Sequence, residues 1–286
     1  MAQLSSTLYA TKELSLIKIG NWANSPTGNL VVNFAQRELR SKYKRSLLGW
    51  LWSLISPLTI VAIYSLVFGV FFRTPPPETA NGHAETFALY LFSGLVVWNL
   101  FTITLNGAMD WVHGVSDLRK KIYFPTETAV FGGALAAGVQ ALIEGFVLVA
   151  IMIGLSNVSW TVVFLPITLL LVAGFGLGVG FFASVYNARY RDVQYLTAVG
   201  LNSLFFLTPI IYTFELVPDT AYGLPVERII RLNPVTQFVE ASRDAVYFLR
   251  VPSLTRLLAI IAYGTIPLIA GLRFFRRRSM DLSEEL

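Results

Sequence analysis

Long uncharged apolar runs alternate along this chain with short stretches that hold most of its Arg, Lys, Asp and Glu. A helix needs about 20 apolar residues to cross the hydrocarbon layer of a bilayer. Residues 47–72, 87–109, 128–155, 161–185, 195–213 and 254–275 supply six such segments. Glu144 interrupts only the third, and Pro57 predicts a kink in the first. The pattern therefore predicts an all-α integral membrane protein with six spanning helices, occupying residues 47–286 behind an N-terminal segment of residues 1–46.

Two further stretches have a different rhythm. Val31, Ala35, Leu39 and Tyr43 recur every fourth residue, while Arg37, Glu38, Arg40, Lys42 and Lys44 largely fill the other faces. This predicts an amphipathic helix in the cytoplasmic headgroup region; the alternative is a solvated charged helix that only enforces topology. Between the fifth and sixth spans, residues 214–253 contain two apolar segments, 226–232 and 235–249, split by Asn233-Pro234. They are too short or too charged to span. They read as a helix pair dipping into the outer leaflet and returning, an arrangement tolerated where protein or water satisfies the backbone. An ordinary external loop is the alternative.

Composition agrees with a membrane protein. Apolar residues make up 55% of the chain and charged residues 14%, with a mean hydropathy of +0.61; soluble domains carry roughly 25% charged residues. The net charge of +5 does not point to nucleic acid, because the cations cluster beside spans. Arg37, Arg40, Lys42, Lys44 and Arg45 precede span one; Arg119, Lys120 and Lys121 follow span two. Arg189 and Arg191 follow span four, and Arg273, Arg276, Arg277 and Arg278 follow span six. Basic residues at span ends mark the cytoplasmic side, so both termini are expected there. Residues 1–29 lack a signal-peptide pattern, which leaves insertion to the internal helices.

Candidate chemistry is sparse. The chain has no cysteine, which excludes disulfides, thiolate metal sites and a cysteine nucleophile. It has no G-x-x-x-x-G-K-[ST] phosphate loop. His83 and His113 lack metal-ligand spacing, and no acid/base pair emerges, so neither a catalytic set nor a metal site is assigned. Glu144 is a carboxylate inside a span with no intramembrane basic partner in view. It is a functional candidate by position, or structural glue to Ser, Thr or Asn of a neighbouring helix. Gly174, Gly176, Gly178 and Gly180 give two overlapping G-x-x-x-G spacings, which suit close helix packing or a subunit seam. Aromatics make up 14% of the chain and include Trp52, Tyr64, Phe68, Phe205, Phe206 and Tyr212 in spans one and five. Most membrane aromatics face lipid, and some are suited to sugar rings.

Several segments, in order, resemble a known family. Residues 38–52 (ELRSKYKRSLLGWLW) with Ser56-Pro57 look like the entry to the first span of ABC-2-type permeases. Residues 121–125 (KIYFP), 187–196 (NARYRDVQYL), 208–212 (TPIIY), 232–235 (LNPV) and 240–243 (EASR) follow in the family's order. The resemblance runs from about Asn33 to Arg278 and is closest to the polysaccharide-exporting branch: the O-antigen (Wzm), teichoic-acid and galactan permeases.

This resemblance implies a homodimeric permease in a bacterial cytoplasmic membrane, with two copies of a separate ABC ATPase binding the ATP and Mg. The chain itself would need no cofactor. It implies export of a lipid-linked, polyprenyl-diphosphate glycan through a channel between protomers. Arg37, Arg40, Lys42, Lys44 and Arg45 would guide the diphosphate, with arginine favoured for forked phosphate contacts. Residues 110–125, with Asp117, Arg119, Lys120 and Lys121, would couple to the ATPase. Arg189 and Asp192 would organise the connection between spans four and five. Trp52, Tyr64, Phe68, Phe205, Phe206 and Tyr212 would line the channel, and Asn233 and Pro234 would form an outer gate. The alternatives are an ABC-2 permease for a drug or lipid, and an intramembrane enzyme acting on polyprenyl phosphates. A secondary transporter would need inverted repeats, and no convincing internal repeat is present.

Overall fold

Hydrocarbon offers the backbone no hydrogen-bond partner, so a spanning segment must satisfy its own N–H and C=O groups, as a helix does. The computed structural model describes residues 25–42, 44, 47–73, 75, 77–80, 87–221 and 223–278. These fold as α1 (Pro26–Lys42), α2 (Trp52–Tyr64), α3 (Phe87–His113), α4 (Ser116–Arg119), α5 (Glu127–Gly154) and α6 (Phe164–Arg189). They continue as α7 (Asp192–Phe206), α8 (Val226–Leu232), α9 (Pro234–Val246) and α10 (Leu254–Arg278). A π-helical stretch, Ser65–Phe71, prolongs α2, and a 3-10 turn, Trp160–Val163, leads into α6. Five of these elements are long and apolar enough to cross a membrane: Trp52–Phe71, Phe87–His113, Glu127–Gly154, Trp160–Arg189 and Leu254–Arg278.

The predicted fifth span, 195–213, differs. Its helix starts earlier, at Asp192, and stops at Phe206, after which Leu207–Thr213 is turn. Fifteen residues rise about 22 Å, short of the roughly 30 Å hydrocarbon thickness. Pro209 supplies the physical reason, because it lacks an N–H and disfavours helical backbone at the residue before it. Nevertheless α7 runs from one end of the bundle towards the other. Near its start Gln194 donates to Asp110 at the foot of α3 (3.4 Å), and just beyond its end Leu207 O accepts from Asn233 (3.4 Å).

Span four is the hub, and its glycines explain why. Gly174 and Gly178 lie against α10: a Cβ on Gly174 would meet Gly264 O at 2.7 Å, and one on Gly178 would meet the Pro267 carbonyl carbon at 2.3 Å. Gly176 and Gly180 lie against α3, with Thr104 Oγ1 and the Ala108 Cβ at 2.1 and 2.6 Å from the corresponding Cβ positions. The four glycines therefore pack helices within this chain, on both sides of α6, and so decide the question left open by their spacing.

The predicted N-terminal helix is present as α1, and its apolar face rests on protein. Val31 and Ala35 are buried against α5, where Gly132 leaves no room for a side chain: its Cβ would sit 2.5 Å from Phe34 Cβ. Leu39 is half-buried, and Tyr43, the fourth residue of the predicted stripe, lies outside the described residues. The predicted break at Asn233-Pro234 separates α8 from α9. Asn233 Oδ1 accepts from Val235 N at 3.0 Å, and Pro234 occupies the first helical position, a natural helix start. Most of α9 is buried among α3, α6 and α10; Phe238 touches Phe175 of α6 (5.9 Å between rings).

These contacts define two ends. At one lie the foot of α3, the start of α5, the end of α6, the start of α7 and the end of α10, where Arg276 binds Glu127 at 3.0 Å. At the other, Asn157 and Thr161 donate to the carbonyls of Tyr247 (3.1 Å) and Ala245 (2.7 Å), and Arg256 at the start of α10 binds Asp244.

Candidate translocation face

The polar positions of α3 set the chemistry. Trp98, Thr102, Asn106 and Asp110 are spaced four residues apart and so share one side of the helix, over about 18 Å of its length. The polar part of that side, Thr102 to Asp110, is about 12 Å long, and such a stripe on a spanning helix marks a pathway or a contact with another polar wall. Three clefts open along it. One of about 330 Å³ lies towards α7, between Trp98, Thr102 and Asn106 on one side and Ala198, Asn202 and Phe205 on the other. A second, about 340 Å³, joins Asp110 and His113 to Asn187, Arg191 and Gln194. The third, about 490 Å³, lies between α1, α3 and α5, where Arg37 and Glu38 face Asn106, Asp110 and Trp111. α7 flanks this region with little cover of its own, Leu201 being its buried residue.

The predicted residues fall into separate groups. Phe205, Phe206 and Tyr212 do come together: Phe205 packs edge-on against Trp98 (5.3 Å) and Phe206 (5.5 Å), and the Tyr212 hydroxyl donates to Phe206 O at 3.0 Å. Tyr64 and Phe68 lie elsewhere, stacked towards Phe87 at the start of α3 (Phe68–Phe87, 4.8 Å). Trp52 is exposed at the beginning of α2. Of the basic segment, Arg37, Arg40, Lys42 and Lys44 are exposed, and Arg45 lies outside the described residues. Asp117 and Arg119 belong to the single turn of α4, with Lys120 and Lys121 after it; Asp117, Lys120 and Lys121 are exposed, and burial lowers the pKa of the half-buried Arg119. Arg189 and Asp192 are exposed on either side of the α6–α7 connection. Asn233 also donates to Thr208 Oγ1 at 3.0 Å, which ties the α8–α9 corner to the turn after α7. His113 is exposed at the end of α3, and His83 lies outside the described residues.

Sequence reasoning missed the polar stripe and the surroundings of Arg243, whereas for Glu144 it offered a polar residue of a neighbouring helix, and Asn99 of α3 is one. Glu144 has partners: Asn99 Nδ2 at 3.5 Å, Gln140 Nε2 at 3.3 Å, and the charge of Lys42 from α1. Arg243 is fully buried, donating to Pro209 O (2.6 Å), Ile210 O (2.9 Å) and Glu240 (2.9 Å), with its guanidinium 3.7 Å from the Tyr90 ring centre. Beside it, burial raises the pKa of Asp244 while Arg256 and Arg250 pull it down. The period-four run 98–102–106–110 was the available signal for the stripe. For Arg243 it was an i, i+3 Glu–Arg pair in a segment otherwise rich in small and apolar residues.

Known proteins give this geometry a context. Residues 30–247 match the family described as ABC-2 type transporter. The O-antigen export system permease protein RfbA of Myxococcus xanthus is 28% identical over 261 residues, covering 90% of this chain and 95% of that protein. An RfbA permease of Klebsiella pneumoniae is 25% identical over 262 residues, with the same coverage. The polysialic acid transport protein KpsM of Escherichia coli is 23% identical over 254 residues, covering 85% of this chain and 90% of that one. With the family matched from α1 through α9 and its relatives aligned almost end to end, this chain belongs to the ABC-2 type transporter family.

Proposed function

We propose that this chain is the transmembrane permease subunit of an ATP-driven transporter that exports a polysaccharide carried on a polyprenyl diphosphate. The observation that carries the reading is the family match over 30–247, together with relatives named for O-antigen export and polysialic acid transport. The substrate path is the α3–α7 face. Its amide and hydroxyl groups, with Trp98 and Phe205, offer hydrogen bonds and flat apolar surface to sugars without a strong charge to arrest them.

A single chain leaves this face open on one side, and the thinly covered α7 borders it; a second copy of the chain closes the wall, giving a homodimer. The end that holds the α3 foot and the α10 terminus is cytoplasmic, in keeping with Arg189, Arg191 and Arg276–Arg278 there. Both chain termini then lie on the cytoplasmic side of a bacterial cytoplasmic membrane. The turn 207–213 completes the sixth crossing begun by α7, and α8–α9 form the re-entrant outer pair with Asn233 and Pro234 at its tip. Asp117, Arg119, Lys120 and Lys121 dock a separate ABC ATPase, two copies per dimer, which binds ATP and Mg. Arg37, Arg40, Lys42, Lys44 and Arg45 attract the carrier diphosphate, each cation contributing about 1 kcal/mol near the membrane surface.

Mild-detergent purification from native membranes tests the assignment. A co-purifying ATPase of equal stoichiometry, with lipid-linked glycan accumulating inside cells depleted of the chain, is the expected result. Isolation without any ATPase, repeated after crosslinking, would overturn it.

A further inference from the structure

The 490 Å³ cleft between α1, α3 and α5 carries chemistry that the translocation face does not explain. Its wall includes the Trp111 indole, and two glycines make room for that ring. A Cβ on Gly133 of α5 would lie 2.1 Å from the Trp111 ring, and one on Gly107 of α3 would lie 2.6 Å from it. The indole is thus packed against bare backbone on two helices, and it remains only half-buried beside the cleft. Around it stand Asn106, Asp110, Glu38 and Arg37, an amide, two carboxylates and a guanidinium. Glu38 is near enough for its charge to act on Asp110.

Two carboxylates against one cation disfavour an anionic occupant such as the diphosphate itself. A flat ring edged by planar donors and acceptors suits a neutral ring whose faces are C–H and whose rim is hydroxyl. The cleft's 490 Å³ is within the roughly 300–1,000 Å³ of small-molecule sites. It also lies on α1, next to the exposed Arg40 and Lys42. We propose that this cleft is a recognition subsite for one pyranose ring, the sugar nearest the diphosphate. Trp111 is its stacking platform, Asn106, Asp110 and Glu38 bind its hydroxyls, and Arg37 stands between the ring and the phosphates. This rests on the polysaccharide reading above. It adds a place where the head of the substrate is checked while the phosphates sit on the neighbouring cations.

The test uses the full chain in lipid nanodiscs, free of glycosidic detergent and labelled with 5-fluorotryptophan. The chain has six tryptophans, and the Trp111→Phe variant identifies the Trp111 fluorine resonance. Glucose and N-acetylglucosamine are titrated as probes, with inorganic pyrophosphate as the competing chemistry. The expected result is a saturable shift of the Trp111 resonance with at least one sugar and none with pyrophosphate. Asn106→Ala, which keeps the indole and its glycine cradle, should weaken that response about threefold to tenfold while the labelled protein keeps its elution volume. No saturable shift with either sugar, or an equal shift with pyrophosphate, would overturn the subsite. ATPase co-purification is scored separately on the same preparations, so a failed exporter assignment and a failed sugar subsite give different patterns.

Discussion

A guanidinium with no solvent exposure must find its acceptors inside the protein, and Arg243 finds three, two of them main-chain carbonyls just beyond α7. Pro209 and Ile210 are in a turn that follows a helix end, where carbonyls lack intrahelical partners. Arg243 fills that need and joins the turn to α9 and, through Tyr90, to α3. Removing one partner of a buried pair leaves the other charge uncompensated and costs about 3–5 kcal/mol. Arg243→Ala should therefore lower the melting temperature of the detergent-purified protein sharply. Glu240→Gln should also lower it, because the fully buried guanidinium then keeps its two carbonyls and the Tyr90 ring but loses its counter-charge. Equal melting temperatures for Arg243→Ala and the parent would show that the turn does not depend on the clamp. Little of this was legible beforehand. Glu240 and Arg243 were recognisable as a motif, but a pair three residues apart reads equally well as a solvated surface pair. Only the fold reveals that Pro209, Tyr90 and Ile210 converge on it. Glu144 shows the same limit, because its basic neighbour, Lys42, comes from α1 and from outside every span.

Helices can approach one another most closely where neither has a side chain in the way. Gly178 of α6 meets the backbone of Pro267 and Gly271 on α10, whereas Gly138 of α5 has nothing within 4 Å of its Cβ position. The same substitution should therefore have opposite effects at the two sites. Gly178→Ala must push α6 and α10 apart and should destabilise by about 1–3 kcal/mol. Gly138→Ala should be neutral, or stabilise by up to about 1 kcal/mol through helix propensity. Thermal unfolding of the two variants side by side checks the contrast, and similar losses at both would argue against the packing described for α6. At this scale the sequence was informative: hydropathy located five spanning helices, and Asn233-Pro234 marked the corner between α8 and α9. The fifth span was overextended because 207–213 is apolar enough to pass as helix, while Pro209 and the buried clamp make it a turn. Aromatics suited to sugar rings are conspicuous in the sequence, and one of them, Phe205, does stand on the α3–α7 cleft. The quieter polar repeat on α3 needed the neighbouring α7 in place before it stood out from helix-packing threonines such as Thr104.

At the scale of the whole molecule, the arrangement makes a distinction that labelling can read. If the α3–α7 face lines a water-filled path, a thiol placed on it ionises and reacts, whereas a thiol facing lipid stays protonated and inert, because the thiolate is the reactive form. The chain contains no cysteine, so each introduced thiol is read without background. Asn106→Cys and Asn202→Cys lie on the face, and Phe146→Cys lies on the exposed apolar side of α5, where the phenylalanine is 71% exposed without polar surroundings. In vesicles opened to reagent from both sides, a membrane-impermeant maleimide should label both face positions several-fold faster than position 146. If, as proposed, a second copy closes the face, a bulky reagent should label position 106 more slowly in the assembled complex than in dissociated chains. A small reagent should show less difference. Equal labelling at all three positions would mean that water does not follow this face. Face labelling unchanged by dissociation would keep the path but take away the second copy's part in enclosing it.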